Sequence, residues 1–225
     1  MTVPFEEIKQ RAIGFKGRSA VQAAHLPAVK TDQKLIDQSD AFYLSTMTRR
    51  IFQAGLKHSV INARWPAFEA AFANFDPYTN AMMSDDEMDA HMANTKLIRH
   101  LGKMKSIRHN ANLVLEVARE YGSFGRFLAQ WPGSDIVDLW GWLKKRGNQL
   151  GGMSGARFLR MAGKDTFLIT EDIVALLRSL EVVDKTPTAK RDLAKVQAVF
   201  NEWQAQSGLP LSHISRIASY TVNTP

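Results

Sequence analysis

Two stretches of this chain carry residues whose types and spacing suit chemistry. The first reads Leu143-Lys144-Lys145-Arg146-Gly147, then Leu150-Gly151-Gly152-Met153-Ser154-Gly155-Ala156-Arg157. It describes a basic helix that stops at Gly147, a tight turn at Gly151-Gly152, and a new helix from about Ser154. Glycine tolerates positive φ and puts no side chain between backbone and partner. The opening amides of a helix are unpaired and carry the positive end of its dipole, so such a turn suits a phosphate. Gly151, Gly152, Ser154 and Gly155 would supply amides, and Lys145, Arg146 and Arg157 charge. The same residues also fit an ordinary helix–turn–helix connection with a glycine cap. The second stretch is Thr170-Glu171-Asp172-Ile173. A carboxylate at a helix start stays ionised, which suits stabilising a developing positive charge better than abstracting a proton. Capping alone explains it equally well.

Charge points the same way. The 225 residues hold 29 Lys+Arg against 22 Asp+Glu, a net +7. No acid occurs from Ala90 to Leu115, or from Leu139 to Lys164. Two acid-free windows in one chain suggest a surface that follows phosphates, although solvated helix faces would look alike. The chain has no cysteine, which excludes disulfides, thiolate metal sites and a cysteine nucleophile. His25, His58, His91, His100, His109 and His213 are scattered without ligand spacing, so neither metal nor cofactor is expected. No serine triad, phosphate-binding loop or dinucleotide fingerprint is present. The N-terminus lacks the apolar core of a signal peptide, and no apolar run approaches the ~18 residues of a membrane span. The expectation is a cytoplasmic monomer that binds a polyanion, without a membrane partner.

The elements positioning these residues are helical. Leu44, Met47, Ile51 and Ala54 fall on one helix face, as do Ile169, Ile173, Leu176 and Leu180, and Leu193, Val196, Val199 and Trp203. Ser84-Asp85-Asp86-Glu87 has the form of a capping box. Ser134 is expected to cap the next helix, and residues 14–29 to form a loop. No stretch alternates long enough for a sheet. The fold class is therefore all-α, about ten helices in two lobes, with the N- and C-terminal helices forming one lobe.

From these residues outward the sequence resembles the helix-hairpin-helix DNA glycosylase superfamily, and within it the DNA-3-methyladenine glycosylase I family. Four collinear blocks carry the likeness: Gln53-Ala54-Gly55-Leu56; Phe68 through Asp76-Pro77; Leu97-Ile98-Arg99-His100-Leu101-Gly102-Lys103-Met104 continuing to Asn110-Ala111; and the Leu143–Gly147 segment with its glycine turn. Tyr121-Gly122-Ser123-Phe124 fits between the last two. The likeness spans about residues 45–165, inside a single glycosylase-like domain over 1–225. It implies double-stranded DNA as the polyanion, and hydrolysis of the N-glycosidic bond of an alkylated purine such as 3-methyladenine, in base excision repair. The base would be flipped out of the duplex and held by aromatic faces through cation–π attraction. Tyr43, Arg50, Phe52, His58 and Trp65 would border its pocket. Asp172, with Glu171 as second candidate, would stabilise the oxocarbenium-like sugar.

The likeness also has departures. Arg50 stands where the family places a pocket glutamate, and His58 where it places a stacking tryptophan. The family's cysteine–histidine zinc site has no counterpart. A guanidinium ~4 Å from a cationic base would be repelled by about 4 kcal/mol at an effective dielectric near 20. Arg50 therefore leaves three readings open: its side chain points elsewhere, the substrate is not cationic, or the chain is a DNA-binding protein that recognises damaged or structured DNA without excision. Gly155 and Ala156 occupy the place of the lysine used by strand-cleaving relatives, so no lyase step is expected.

Overall fold

Ser39 starts its helix by accepting a 3.2 Å hydrogen bond from the Phe42 amide, and Tyr43, Leu44, Met47 and Ile51 then turn inward together and are buried. The computed structural model describes residues 3–222, and this logic repeats through thirteen α-helices, with no strand among the described residues. In chain order they are α1 (Phe5–Lys16), α2 (Asp32–Ile36), α3 (Asp40–Gln53), α4 (His58–Ala71), α5 (Pro77–Ala81), α6 (Asp85–Ala93), α7 (Leu101–Tyr121), α8 (Phe124–Gln130), α9 (Ile136–Arg146), α10 (Met153–Ala162), α11 (Glu171–Ser179), α12 (Lys190–Ser207) and α13 (Leu211–Ser219). The fold is all-α as expected. The helix number exceeds the expected ten partly because α2 and α5 have five residues each, too few to show a period. Residues 14–29 are not simply a loop, because α1 runs to Lys16 and two 3-10 turns follow at Arg18–Val21 and Ala23–His25. Ser134 does not cap α9. It sits within a 3-10 turn, Gly133–Asp135, and its carbonyl accepts from Asn201 Nδ2 at 2.9 Å. The capping box at Ser84 and Glu87 is formed.

The helices group into two compact units. The central unit comprises Lys30–Trp131 and Trp140–Ala162. In it α3, α5 and α8 pack on α7, α10 packs on α3, and α2 packs on α8. Gly125 is required at that last contact, since a β-carbon there would overlap the Leu35 carbonyl. Tyr43 seals the same node: its hydroxyl donates to Leu35 O at 2.6 Å and its ring lies 5.4 Å from Phe124. A second cluster stacks Trp65 parallel to Phe68 and Phe75, each at 5.2 Å. Ala73, Asn74 and Phe75, with φ of 49°, 52° and 60°, make the left-handed turn that follows α4 and leads to the buried Phe75 ring. Three consecutive non-glycine residues in this region store backbone strain. Asn80 binds the turn by donating to Phe72 O at 2.8 Å and Asp76 O at 2.7 Å.

The terminal unit comprises the chain up to Val29, Pro132–Leu139, and everything from Gly163 onward. Trp203 Nε1 donates to Val3 O at 2.9 Å, and Gln206 Oε1 accepts from Phe5 N at 2.8 Å, tying α1 to α12. Phe167 and Phe200 stack at 4.2 Å. The Asp165 carboxylate accepts from the Leu211 and Ser212 amides at 2.8 and 2.9 Å, which caps α13. No helix among the described residues is long and apolar enough to cross a membrane.

Candidate nucleic-acid interface

The glycine-rich stretch between α9 and α10 forms a hairpin. The Gly147 amide closes α9 on Leu143 O at 2.9 Å. A β-carbon at Gly147 would lie 2.6 Å from Leu150 Cδ1 and 2.8 Å from Leu143 O, so only glycine allows the chain to leave the helix here. Gln149 and Gly152, at φ of 63° and 55°, then reverse its direction. Leu150 is fully buried and anchors the turn from within. Gly155 brings α10 close, because a β-carbon there would sit 2.9 Å from Leu150 O. Gly152 is exposed with open space around it, and Gly151 and Ser154 are half-buried. The Ser154 amide turns back to Gly151 O at 3.1 Å, while no acceptor among the described residues meets the amides of Gly151 and Gly152. Lys145, Arg146 and Arg157 flank the turn with exposed side chains. A bend with free amides ringed by cations is suited to an anionic strand.

The hairpin is held from α7 by a residue that sequence reasoning did not single out for the site. Asn110 Oδ1 accepts from Asn148 N at 2.8 Å, and its Nδ2 donates to Asn148 O at 3.1 Å. His109 Nε2 lies 2.9 Å from Arg146 O, and Arg146 Nη2 pairs with Glu116 Oε2 at 2.7 Å. The available signal was an asparagine on the otherwise apolar face of α7 set by Ile107, Ala111 and Val114. A polar side chain there needs a fixed partner.

The five residues expected around a base pocket are dispersed within the central unit. Tyr43 and Phe52 are nine positions apart on α3, about 180° round the helix, and both are fully buried. They cannot wall one cavity. Tyr43 is a packing residue, and burial pushes its hydroxyl pKa up. Phe52 joins the aromatic cluster, 4.8 Å from Phe68. Trp65 is buried in that cluster, and one of its ring faces already meets a cation, the Arg49 guanidinium at 4.6 Å. His58 is exposed at the start of α4. Arg50 is half-buried beside Arg157 of α10, and its Nε finds no hydrogen-bond partner. Desolvation, then the Arg157 charge, hold its pKa below the usual guanidinium range. Lys103 of α7 lies near it, with Nζ donating to Ala54 O at 2.6 Å and Phe52 O at 3.4 Å at the end of α3. Burial, then Arg50, lower the Lys103 pKa.

The acids lie in the terminal unit. Thr170 Oγ1 accepts from Ile173 N at 3.4 Å and caps α11, with Glu171 exposed and Asp172 half-buried in its first turn.

Comparison with known proteins bears on this arrangement. Residues 34–144 match the methyladenine glycosylase family. Through this region the chain is similar to that family. The match takes in α3, α7 and most of α9, and so the segments that lead into and hold the hairpin. Among solved structures, the methyladenine glycosylase-like chain is similar to 3-methyladenine DNA glycosylase I from Staphylococcus aureus, at 22% identity over 69% of this chain and 90% of that one, TM-score 0.51. It is also similar to the 8-oxoguanine glycosylase/lyase of Methanocaldococcus jannaschii, solved with a 15mer DNA containing 8-oxoguanine, at 13% identity over 95% and 94%, TM-score 0.53. The 8-oxoguanine DNA glycosylase of Thermotoga maritima gives 11% identity over 97% of each chain, TM-score 0.52. At these identities the structural likeness speaks for the helix-hairpin-helix glycosylase fold.

Proposed function

We propose that this chain is a monofunctional DNA N-glycosylase that releases an alkylated purine, such as 3-methyladenine, from double-stranded DNA. The observation that carries it is the family match running into a glycine hairpin with unpaired amides. The hairpin binds the backbone through Gly151, Gly152, Ser154 and Gly155, with Lys145, Arg146 and Arg157 adding charge. The damaged base leaves the stack at a cost of a few kcal/mol. The bond between the sugar C1′ and the base nitrogen breaks, and its electron pair leaves with the base. Water supplies the new C1′–O bond and gives up a proton. Asp172 stabilises the intervening cationic sugar as an anion held at the start of α11. Gly155 and Ala156 offer no amine at the turn, so the reaction ends at hydrolysis. The enzyme works as a single glycosylase domain and a monomer in the cytoplasm.

Base release from methylated duplex DNA tests this reading. The parent should release base, and Asp172→Asn should lose on the order of a hundredfold in rate while duplex affinity holds. Glu171→Gln should change the rate little. Tight duplex binding by the parent with no release from any lesion would leave a DNA-binding protein and end the enzymatic assignment.

A further inference from the structure

Arg49 and Arg50 are neighbours on α3, about 100° apart round the helix, and their surroundings differ. Each has a buried Nε without a hydrogen-bond partner, but the charge of Arg49 is compensated: its guanidinium lies over the Trp65 ring at 4.6 Å, and Glu69 acts on it favourably. Arg50 has no such relief. It is half-buried on the side of α3 that meets α10, its Nε is buried and unpartnered, and no ion pair joins it to an acid among the described residues. The charges that act on it are those of two cations. Arg157 comes from α10 and Lys103 from α7, and the Lys103 ammonium is held at the end of α3 by the Phe52 and Ala54 carbonyls. Both helices supplying these neighbours lie in acid-free stretches for the relevant turns, Ala90–Leu115 and Leu139–Lys164.

A desolvated guanidinium facing like charges raises the energy of the free protein. The arrangement becomes favourable once an anion with several acceptor oxygens arrives, and a guanidinium fork matches a phosphate in particular. Arg157 lies one turn into the hairpin helix, so the anion available there is the strand that the hairpin grips.

We infer that Arg50 and Arg157 together form a phosphodiester seat beside the hairpin, separate from its backbone amides, and that Arg50 contacts the DNA backbone rather than the damaged base. This rests on the DNA-binding part of the proposed function but not on catalysis. It also removes the conflict between a cationic lesion and an arginine in the base pocket, because the charge of Arg50 is spent on phosphate.

The test uses an undamaged duplex, anisotropy titrations from 50 to 200 mM salt, and thermal melts of the free protein. Arg50→Met should weaken binding about tenfold or more and reduce the steepness of the salt dependence by about one phosphate contact. The same variant should melt no lower than the parent, because a repelled, desolvated charge has been removed. Arg157→Gln should behave alike in binding. The double variant should lose less than the sum of the two, as residues sharing one anion do. Arg50→Lys should restore the salt dependence but only part of the affinity. Unchanged affinity and salt dependence in Arg50→Met would overturn the seat. So would loss of base release with undamaged-duplex binding intact, which would make Arg50 a reader of the base. A parent that binds no duplex would remove the seat and the function beneath it together. A parent that binds duplex with this Arg50 dependence but releases no base would refute catalysis alone and leave the seat standing.

Discussion

The fully buried Tyr43 hydroxyl has one fixed acceptor, and this makes it a source of pH dependence. Burial raises its pKa in the folded protein, while the unfolded residue ionises near its ordinary value of about 10. Above that pH the folded state holds the proton that the unfolded state has lost, so stability falls as pH rises. Below about pH 10 the contribution is fully present. Urea titrations between pH 9 and 11 should show a declining midpoint for the parent and a flatter profile for Tyr43→Phe. That variant should also be about 1 kcal/mol less stable at neutral pH, through the lost bond to Leu35. Asn110 is the corresponding case for binding. Asn110→Ala should cost about 1–3 kcal/mol by leaving the Asn148 amide and carbonyl unpaired, and should weaken duplex binding because the hairpin loses its support from α7. Urea midpoints and anisotropy would check both. The glycine turn was legible because glycine pairs and charge runs are local. The Asn110 pairing was not, because its partner lies 38 residues away. The burial of Tyr43, Phe52 and Trp65 was illegible for a related reason: residue type marks an aromatic as useful, but only packing tells whether its face is already covered.

Elements were legible in proportion to their length. α3 and α7 announce themselves through repeated apolar positions, and α6 through its capping box. The five-residue helices α2 and α5 have no period to read, and they exist because larger neighbours hold them. The contact of α2 with α8 is the most sensitive of these. Gly125→Ala should destabilise the protein by about 1–3 kcal/mol through overpacking against the Leu35 backbone. Gly152→Ala is the informative contrast. It meets open space, so its stability cost is limited to about 1–2 kcal/mol for a positive φ, which urea unfolding of the two variants would separate. The left-handed turn at Ala73–Phe75 had no sequence sign at all, since nothing local favours three such residues in succession. It is maintained by Asn80 and the stacking of Phe75.

At the scale of the molecule, the two units differ in how the chain builds them. The central unit uses residues 30–131 and 140–162, close together in sequence. The terminal unit joins three distant pieces, and its bond from Trp203 to Val3 spans 200 residues. Contacts of that separation form late, because the intervening chain must first lose its freedom. Pulse-labelling hydrogen exchange during refolding should show amides of α3, α7 and α10 protected before those of α1, α12 and α13. Simultaneous protection of both sets would refute this order. The hydrogen bonds that tie α1 to α12 depend on Gln206 and Trp203, whose partners no periodicity names. This threading has a consequence during synthesis. The DNA-gripping hairpin and its α7 support are complete once Ala162 has emerged from the ribosome, while Asp172, a little further along the chain, is still inside the exit tunnel. The nascent chain exposes a place for nucleic acid before it exposes the acid proposed to act on it.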